Sequence, residues 1–230
     1  MPPAPTVIPI LAPSGASAPS APSTPSTPDP ARAAAVAQMD WAALREAVEQ
    51  CQACALGATR HQAVFGVGGT RAHWMIVGEA PGEQEDLRGE PFVGAAGQLL
   101  DAMLGAIGLS RDAVFIAGAL RCRPPGDRDV RVDEIAQCRD HLLQQVAMVR
   151  PRIIVAFGPV AAQGLLGTAV SRDGPLDGLR GSVHRFGVNT PVVVTYHPAA
   201  LLCSPGDKRK AWEDLKFARQ VHAGLEPIRG

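Results

Sequence analysis

The segment Gly-Glu-Ala-Pro-Gly-Glu-Gln-Glu-Asp, at residues 78–86, is the stretch that decides the fold. It follows the apolar run 74–77, which predicts a buried strand, and its glycines and proline prevent that strand from continuing. Open α/β sheets place their ligand crevices at the carboxyl ends of strands. We therefore expect the carboxylates of this segment at the mouth of a crevice, although a plain acidic surface loop explains the segment alone equally well.

Strand and helix signals alternate along the rest of the chain, which predicts a parallel sheet covered by helices on both faces. Residues 60–71 and 78–94 are expected to be loops, and 167–182 are rich in turn residues. A helix is expected to start after an N-cap at Asp40 and to end near Cys51. The other predicted strands are 114–116, 152–157 and 191–196, and the other predicted helices are 97–107, 133–148, 159–166 and 208–222.

Composition bounds the class of protein. The chain has 230 residues, 46% of them hydrophobic, and 22 basic residues balance 22 acidic ones, so whole-chain charge does not favour a nucleic-acid partner. Its five cysteines are an odd number and do not resemble a secreted disulfide framework. We find no apolar run near the ~20 residues of a membrane span and no secretory signal, so a cytoplasmic protein without membrane contact is expected.

The first part of the chain has a different composition. Ten of the 21 prolines lie in the first 30 residues, among alanine, serine and threonine. Such a segment has little apolar surface to bury and is expected to be disordered. We therefore predict a tail at residues 1–37, which is either a linker or a binding segment for an unidentified partner, and a single domain at 38–225.

Four cysteines form a candidate metal site. Cys51 and Cys54 form a Cys-x-x-Cys pair, 67 residues lie between Cys54 and Cys122, and 15 lie between Cys122 and Cys138. Four thiolates from two regions can bind tetrahedral zinc or an iron–sulfur cluster, and the spacing does not distinguish these. The pair alone could also be a redox dithiol, and Cys122 and Cys138 could be small buried hydrophobic residues.

Together these residues resemble the iron–sulfur class of uracil-DNA glycosylases, often called family 4. The resemblance covers roughly residues 42–220 and implies a three-layer α/β/α sandwich with a short parallel central sheet. It also implies a [4Fe–4S] cluster on Cys51, Cys54, Cys122 and Cys138, a monomer, and excision of uracil from single- or double-stranded DNA. Its marks are Cys51-x-x-Cys54, the 78–86 segment, Gly89-x-Pro91-Phe92-Val93-Gly94-x-Ala96-Gly97-Gln98-Leu99-Leu100, Cys122-Arg123-Pro124-Pro125-Gly126, Cys138 and His197-Pro198-Ala199-x-Leu201-Leu202.

The chemistry of base excision gives these residues roles. A glycosylase takes the base out of the stack, and Phe92 is expected to stack on it in a pocket that Ala80 and Gly118 help to line. Bond cleavage leaves an anionic uracil and a cationic sugar, so His197 is expected to donate a hydrogen bond to the developing oxyanion. Glu79 is the carboxylate expected to orient water or to balance the sugar.

Contacts with DNA are expected from apolar and basic side chains near the carboxyl end of the chain. Leu201 or Leu202 could wedge into the duplex where the base has left, or either could belong to the core. The candidate phosphate contacts, each of which could also be an ordinary surface charge, are Arg121, Arg123, Lys208, Arg209 and Lys210.

Three positions depart from the family pattern: Gly118, Asp127, where the family usually continues Pro-Pro-Gly with asparagine, and Cys203, where it often has arginine after Leu-Leu. Where the family usually has an asparagine that reads the uracil edge, four residues before Cys122, this chain has Gly118. Losing an edge-reading contact costs about 1–3 kcal/mol of discrimination. One alternative to an active uracil glycosylase is therefore a non-catalytic or specificity-altered iron–sulfur DNA-binding protein of the same fold. A second alternative, a zinc-stabilised nucleotide-binding protein, depends only on the acidic segment and the four cysteines.

Overall fold

A computed structural model describes residues 28–167 and 176–225 of the chain. Within these residues six strands form one sheet in the order β1–β3–β2–β4–β6–β5, with strands numbered along the chain. The strands are β1 (Val67–Gly68), β2 (Trp74–Gly78), β3 (Val114–Gly118), β4 (Ile153–Phe157), β5 (Val183–Phe186) and β6 (Thr190–Thr195).

The four central strands, β3, β2, β4 and β6, are parallel, whereas β1 and β5 are antiparallel edge strands. The central strands are nearly continuous apolar runs because both of their faces are covered. The predicted parallel centre is thus confirmed. Sequence analysis missed β5, whose alternating exposed and half-buried residues and short length give a weak apolar signal.

Helices cover both faces of the sheet, which confirms the α/β sandwich. On one face α5 and α6 pack on Met75 and Val77, and on the other α4 and α8 pack on Trp74 and Ile76. The helices of the described residues are α1 (Pro30–Val36), α2 (Trp41–Glu49), α3 (Glu83–Arg88), α4 (Ala95–Ala106), α5 (Val132–Val149), α6 (Pro159–Leu166), α7 (Pro198–Cys203) and α8 (Lys208–Ala223). None of them is long and apolar enough to cross a membrane.

The segment after β2 was predicted to be a loop throughout. This prediction is wrong for its acidic part, which forms α3. Gly82 is the N-cap of α3, and the Glu85 carboxylate accepts the Gly82 N–H, which is the half of a capping box that glycine can form. Acidic side chains in the first turn also favour a helix because they oppose the positive end of its dipole. The predicted loop at 60–71 likewise contains β1.

Part of the segment predicted as a tail is helical, because Pro30–Val36 forms α1. The Asp29 side chain caps α1, and Val36 is buried against α2 residues. Arg32 of α1 also donates to Asp140 of α5 at 3.2 Å. Residues 1–27 of the predicted tail lie outside the described residues, as do residues 168–175 of the predicted turn-rich segment.

Candidate active site

A cleft of about 570 Å³ lies at the carboxyl ends of the four parallel strands. Glu79 follows β2, Gly118 ends β3, Gly158 follows β4 and His197 follows β6, and all four residues line the cleft. The sheet therefore gathers residues that are far apart in sequence at the edge where sequence analysis expected a crevice.

The Glu79 carboxylate is held at the start of α6. Its Oε1 atom accepts the Val160 N–H at 3.2 Å, in the first turn of that helix, where the dipole stabilises negative charge. A Cβ at Gly158 would lie 2.3 Å from the same oxygen, and Gly158 has φ = +91°. Both its dihedral and this close approach therefore require glycine, which lets Glu79 pack against the backbone.

His197 is the N-cap of α7, and this contact fixes its tautomer. Its Nδ1 atom accepts the Ala199 N–H at 3.3 Å, so in the neutral ring the proton is on Nε2. Nε2 lies 3.6 Å from the position that a Cβ on Gly78 would take, at the end of β2. Burial lowers the pKa of His197 to about 4, with partial opposition from the charge of Glu85. His197 is therefore a neutral donor at physiological pH.

Phe92 lies over the imidazole. The ring centroids of Phe92 and His197 are 5.3 Å apart with an interplanar angle of 27°, a stacked arrangement. Phe92 has φ = +55°, which is unusual for a bulky residue and stores backbone strain. Such strain persists only where neighbouring contacts enforce it.

Glu85 supplies those contacts, and sequence analysis did not assign it this role. One carboxylate oxygen accepts the N–H groups of Val93 and Gly94, at 3.0 and 3.4 Å, while the other accepts the Gly82 N–H at 3.2 Å. Glu85 thus joins the start of α3 to the loop that carries Phe92. A glutamate three residues after a helix N-cap commonly accepts the N-cap N–H, so the position of Glu85 could have indicated its bond to Gly82.

Gly118 lies where the backbone of the cleft wall is most crowded. A Cβ there would lie 2.6 Å from the Leu120 carbonyl oxygen and 2.9 Å from that of Glu79. Hydrogen bonds hold both segments, since Ala119 N–H donates to Gly78 O at 2.8 Å and Leu120 N–H to Glu79 O at 3.1 Å. At Gly118 the wall is thus backbone alone, and Ala80 also lines it.

The structure distinguishes the two candidate wedge residues. Leu201 is 1% exposed and faces the core from α7, in agreement with the alternative that it is a core residue. Leu202 is 43% exposed and lies on the solvent side of the same helix, two residues after Ala200, which lines the cleft. Successive helix positions point about 100° apart, which is why one leucine is buried and the other is free.

The basic candidates also differ in accessibility. Arg121 is 1% exposed and cannot reach a phosphate, so that prediction is wrong. Arg123 is partly buried and makes two hydrogen bonds with Asp127, at 2.7 and 2.9 Å. Arg209 pairs with Glu213, and Lys210 pairs with Asp207. Lys208, the first residue of α8, is exposed and forms no ion pair with any described residue.

The four predicted ligand cysteines lie in one region. Cys54, Cys122 and Cys138 belong to an apolar cluster that includes Leu56 and Leu120. Cys51 is close enough to interact electrostatically with the other three thiols. Burial raises the pKa of Cys138 to about 12. Within residues 28–167 and 176–225, however, no three His, Cys, Asp or Glu side chains are arranged to hold a metal ion.

Two arginines lie against this cysteine region, a feature that sequence analysis did not predict. Arg60 Nη1 donates to Cys122 Sγ at 2.9 Å. Burial lowers the pKa of the Arg121 guanidinium, and nearby Cys138 and Cys122 oppose that shift. Arg121 Nε is a buried donor without a partner. Four thiols beside two cations match the donor chemistry and charge of an anionic metal–sulfur group.

Comparisons with known proteins agree with this geometry. Residues 65–216 match the family described as the Uracil DNA glycosylase superfamily. The Type-4 uracil-DNA glycosylase of Archaeoglobus fulgidus is 42% identical over 186 residues, 78% of this chain and 92% of the relative. That of Pyrobaculum aerophilum is 39% identical over 180 residues, 77% and 92% of the two chains. The Type-5 uracil-DNA glycosylase of the same organism is 32% identical over 159 residues, which are 60% of this chain and 66% of the relative. The chain therefore belongs to the uracil-DNA glycosylase superfamily.

Proposed function

We propose that this protein is a DNA glycosylase of base excision repair that hydrolyses the N-glycosidic bond of uracil in DNA. One observation carries the proposal most directly: a neutral imidazole, a carboxylate and an aromatic ring line one cleft at the carboxyl ends of the parallel strands. That combination suits a reaction in which an anion and a cation develop on opposite sides of a breaking bond.

The flipped base enters the cleft and stacks on Phe92. Base flipping needs a tight pocket with an aromatic or apolar wall. The stacked position of Phe92 on His197 leaves the ring fixed before the substrate arrives, and Glu85 holds its loop. Ala80 and the Gly118 backbone also line this cleft.

His197 stabilises the departing uracil. Its Nε2–H donates to the carbonyl oxygen on which negative charge develops, and the Ala199 N–H keeps the ring in that tautomer. A preorganised donor of this kind contributes about 2.7–4 kcal/mol to the transition state, or 10²–10³ in rate. A neutral ring needs no proton transfer before it can act.

Glu79 acts on the sugar side of the bond. Its carboxylate is fixed by the Val160 N–H, and a fixed negative charge stabilises an oxocarbenium-like sugar and orients the attacking water. The helix dipole of α6 stabilises the ionised form of the carboxylate.

The outer rim of the cleft binds DNA. Leu202 is the wedge that fills the position of the flipped base, and Lys208 is the main phosphate contact. Arg123 contributes when its ion pair with Asp127 opens. The protein acts as a monomer on single- or double-stranded DNA, and a DNA substrate together with five free cysteines favours a cytoplasmic location.

We also propose that Cys51, Cys54, Cys122 and Cys138 hold a [4Fe–4S] cluster. When bound, the cluster supplies a structural cross-link rather than a reacting group. It would join the segment after α2, the loop after β3 and the helix α5, and so place Arg123 and the cleft wall correctly. Cys54, Cys122 and Cys138 lie in one partly buried cluster, and Cys51 is close enough to interact with them electrostatically, which supports this assignment.

A product assay tests the proposal. Duplex and single-stranded oligonucleotides that contain one uracil are incubated with the iron-loaded protein, and released uracil and alkali-labile sites are both measured. We expect equal amounts of the two products and none from the thymine control. Gly118 offers no side chain that could read the uracil edge, which supports one alternative, a non-catalytic or specificity-altered DNA-binding member of the fold. That alternative predicts binding to the same oligonucleotides without release of uracil.

A further inference from the structure

Two arginines contact the cysteine region from different elements. Arg121 follows β3 and is fully buried, and its Nη1 and Nη2 atoms donate to Gly118 O at 2.8 Å and to Gln145 Oε1 at 2.6 Å. Arg60 donates to Glu49 O at 2.6 Å as well as to Cys122 Sγ at 2.9 Å. Arg60 is therefore fixed against the Cys122 sulfur, and Arg121 is fixed close enough to Cys122 and Cys138 to interact with them electrostatically.

Neither cation is neutralised by a carboxylate. In the part of the chain that the structure describes, no Asp or Glu lies within ion-pair distance of Arg60 or Arg121, whose partners are carbonyl oxygens, an amide oxygen and a sulfur. By contrast, the buried Glu134 carboxylate nearby is already paired with Arg128. A buried cation without a counter-ion is strongly unfavourable. The arrangement therefore calls for a negative charge in the cysteine region.

We propose that Arg60 and Arg121 are the counter-cations of the metal–sulfur group and determine how firmly the protein retains it. Four thiolates outweigh the positive charge of an iron–sulfur core or a zinc ion, so the whole group is an anion. Arg121 supplies a desolvated charge, and Arg60 supplies a hydrogen bond to one ligand sulfur. The inference rests on the four-cysteine site of the proposed function.

Paired substitutions separate charge from hydrogen bonding. Arg121→Lys and Arg60→Lys keep the charge but lose the planar guanidinium fork, whereas Arg121→Gln and Arg60→Gln keep a donor but lose the charge. Arg139→Gln is the matched control, because Arg139 adjoins Cys138 in sequence but donates to the carbonyls of Gly164 and Leu165. Each protein is purified with its cluster and checked for folding by circular dichroism.

The measurement is the rate at which excess iron chelator removes iron from each holoprotein. This rate is monitored as the decrease of the cluster absorbance. We expect the Gln variants to lose iron about 10–100-fold faster than wild type, the range typical of partners that support metal ligands. The Lys variants and Arg139→Gln should remain close to wild type. A Gln variant too unstable to purify with iron, beside a Lys variant that retains it, agrees with the proposal.

Two results would overturn the inference, and they have different meanings. Wild-type release rates in the Gln variants, or equal rates in the Lys and Gln variants, would show that charge does not retain the group, while the cluster proposal would stand. A folded wild-type protein that contains no metal–sulfur group would remove both proposals. The uracil assay does not enter either comparison.

Discussion

Replacing Gly118 by alanine tests how the cleft wall is built. The added Cβ would lie 2.6 Å from Leu120 O and 2.9 Å from Glu79 O, both backbone atoms. Real Cβ atoms essentially never approach so closely, so one of the two segments must move by several tenths of an ångström. Neither contact can be relieved by rotating a flexible side chain.

The cost follows from what the displaced atoms do. Leu120 N–H donates to Glu79 O, and Arg121 Nη1 donates to Gly118 O. Overpacking a well-packed site typically costs about 1–3 kcal/mol. In a domain of this size each kcal/mol lowers the unfolding temperature by about 2–4 °C, so we expect a decrease of about 2–12 °C. Because Glu79 is displaced as well, excision should also become slower.

Denaturant and thermal unfolding of the iron-loaded protein measure this effect. Gly105→Ala is the matched control, because Gly105 is an exposed residue of α4 and a Cβ there meets nothing within 4 Å. That control should be stabilised by up to about 1 kcal/mol through helix propensity. The opposite signs of the two substitutions exclude a general effect of alanine.

A Gly118→Ala variant with the same free energy of unfolding as wild type would refute the conclusion that a Cβ does not fit at this position. The same geometry predicts that Gly118→Asn does not simply restore the missing edge reader, because its Cβ meets the same two oxygens. Faster uracil excision by Gly118→Asn without loss of stability would contradict this. It would mean that the cleft wall relaxes at little cost and that Gly118 only removes a side chain that could bind the uracil edge.

Three other predictions concern the cleft and its rim. Glu85→Ala should lower kcat/KM by about 10–100-fold, since the Phe92 loop loses its anchor and a 1 Å displacement can cost that much; steady-state kinetics on a uracil oligonucleotide measure it. Lys208→Gln should weaken DNA binding on every sequence alike and reduce the slope of log K against log salt by about 1, measured by fluorescence anisotropy. The pKa of His197 is lowered to about 4 in the folded protein. Between about pH 6.5 and 4 the unfolded chain therefore binds more protons than the folded one, so the free energy of unfolding decreases as the pH falls through that window. Urea unfolding should show that wild type loses about 2–3 kcal/mol more than His197→Gln between about pH 7 and 4.5.

The positions of the central strands could be predicted because burial on both faces leaves an uninterrupted apolar run. The run at 74–77 and the Gly-rich segment after it were sufficient to place a crevice at the carboxyl ends of the strands. The edge strand β5 and the helix α1 could not be recognised in this way. Their residues are held by tertiary contacts, such as that between Arg32 and Asp140, which leave no periodic pattern.

The exposure of side chains in the candidate site could not be predicted from motif spacing, because it depends on helix rotation and side-chain direction. Leu201 and Leu202 are adjacent in one motif, and only the rotation of α7 about its axis separates the buried residue from the exposed one. Arg121 was itself a candidate phosphate contact, yet its side chain turns inward to Gly118 O and Gln145. The crowding around Gly118 involves Leu120 and Glu79 from two strand ends, so no local pattern reports it.

The most direct test of the proposed activity is the single-turnover rate of uracil excision by the iron-loaded protein and by His197→Ala. His73→Ala is the matched control, since His73 is exposed and lies at the amino end of β2, away from the cleft. We expect wild type and His73→Ala to release uracil at equal rates and His197→Ala to be about 10²–10³-fold slower. Intact DNA after incubation with the wild-type protein, or equal rates for His197→Ala and wild type, would contradict the proposal that this cleft excises uracil.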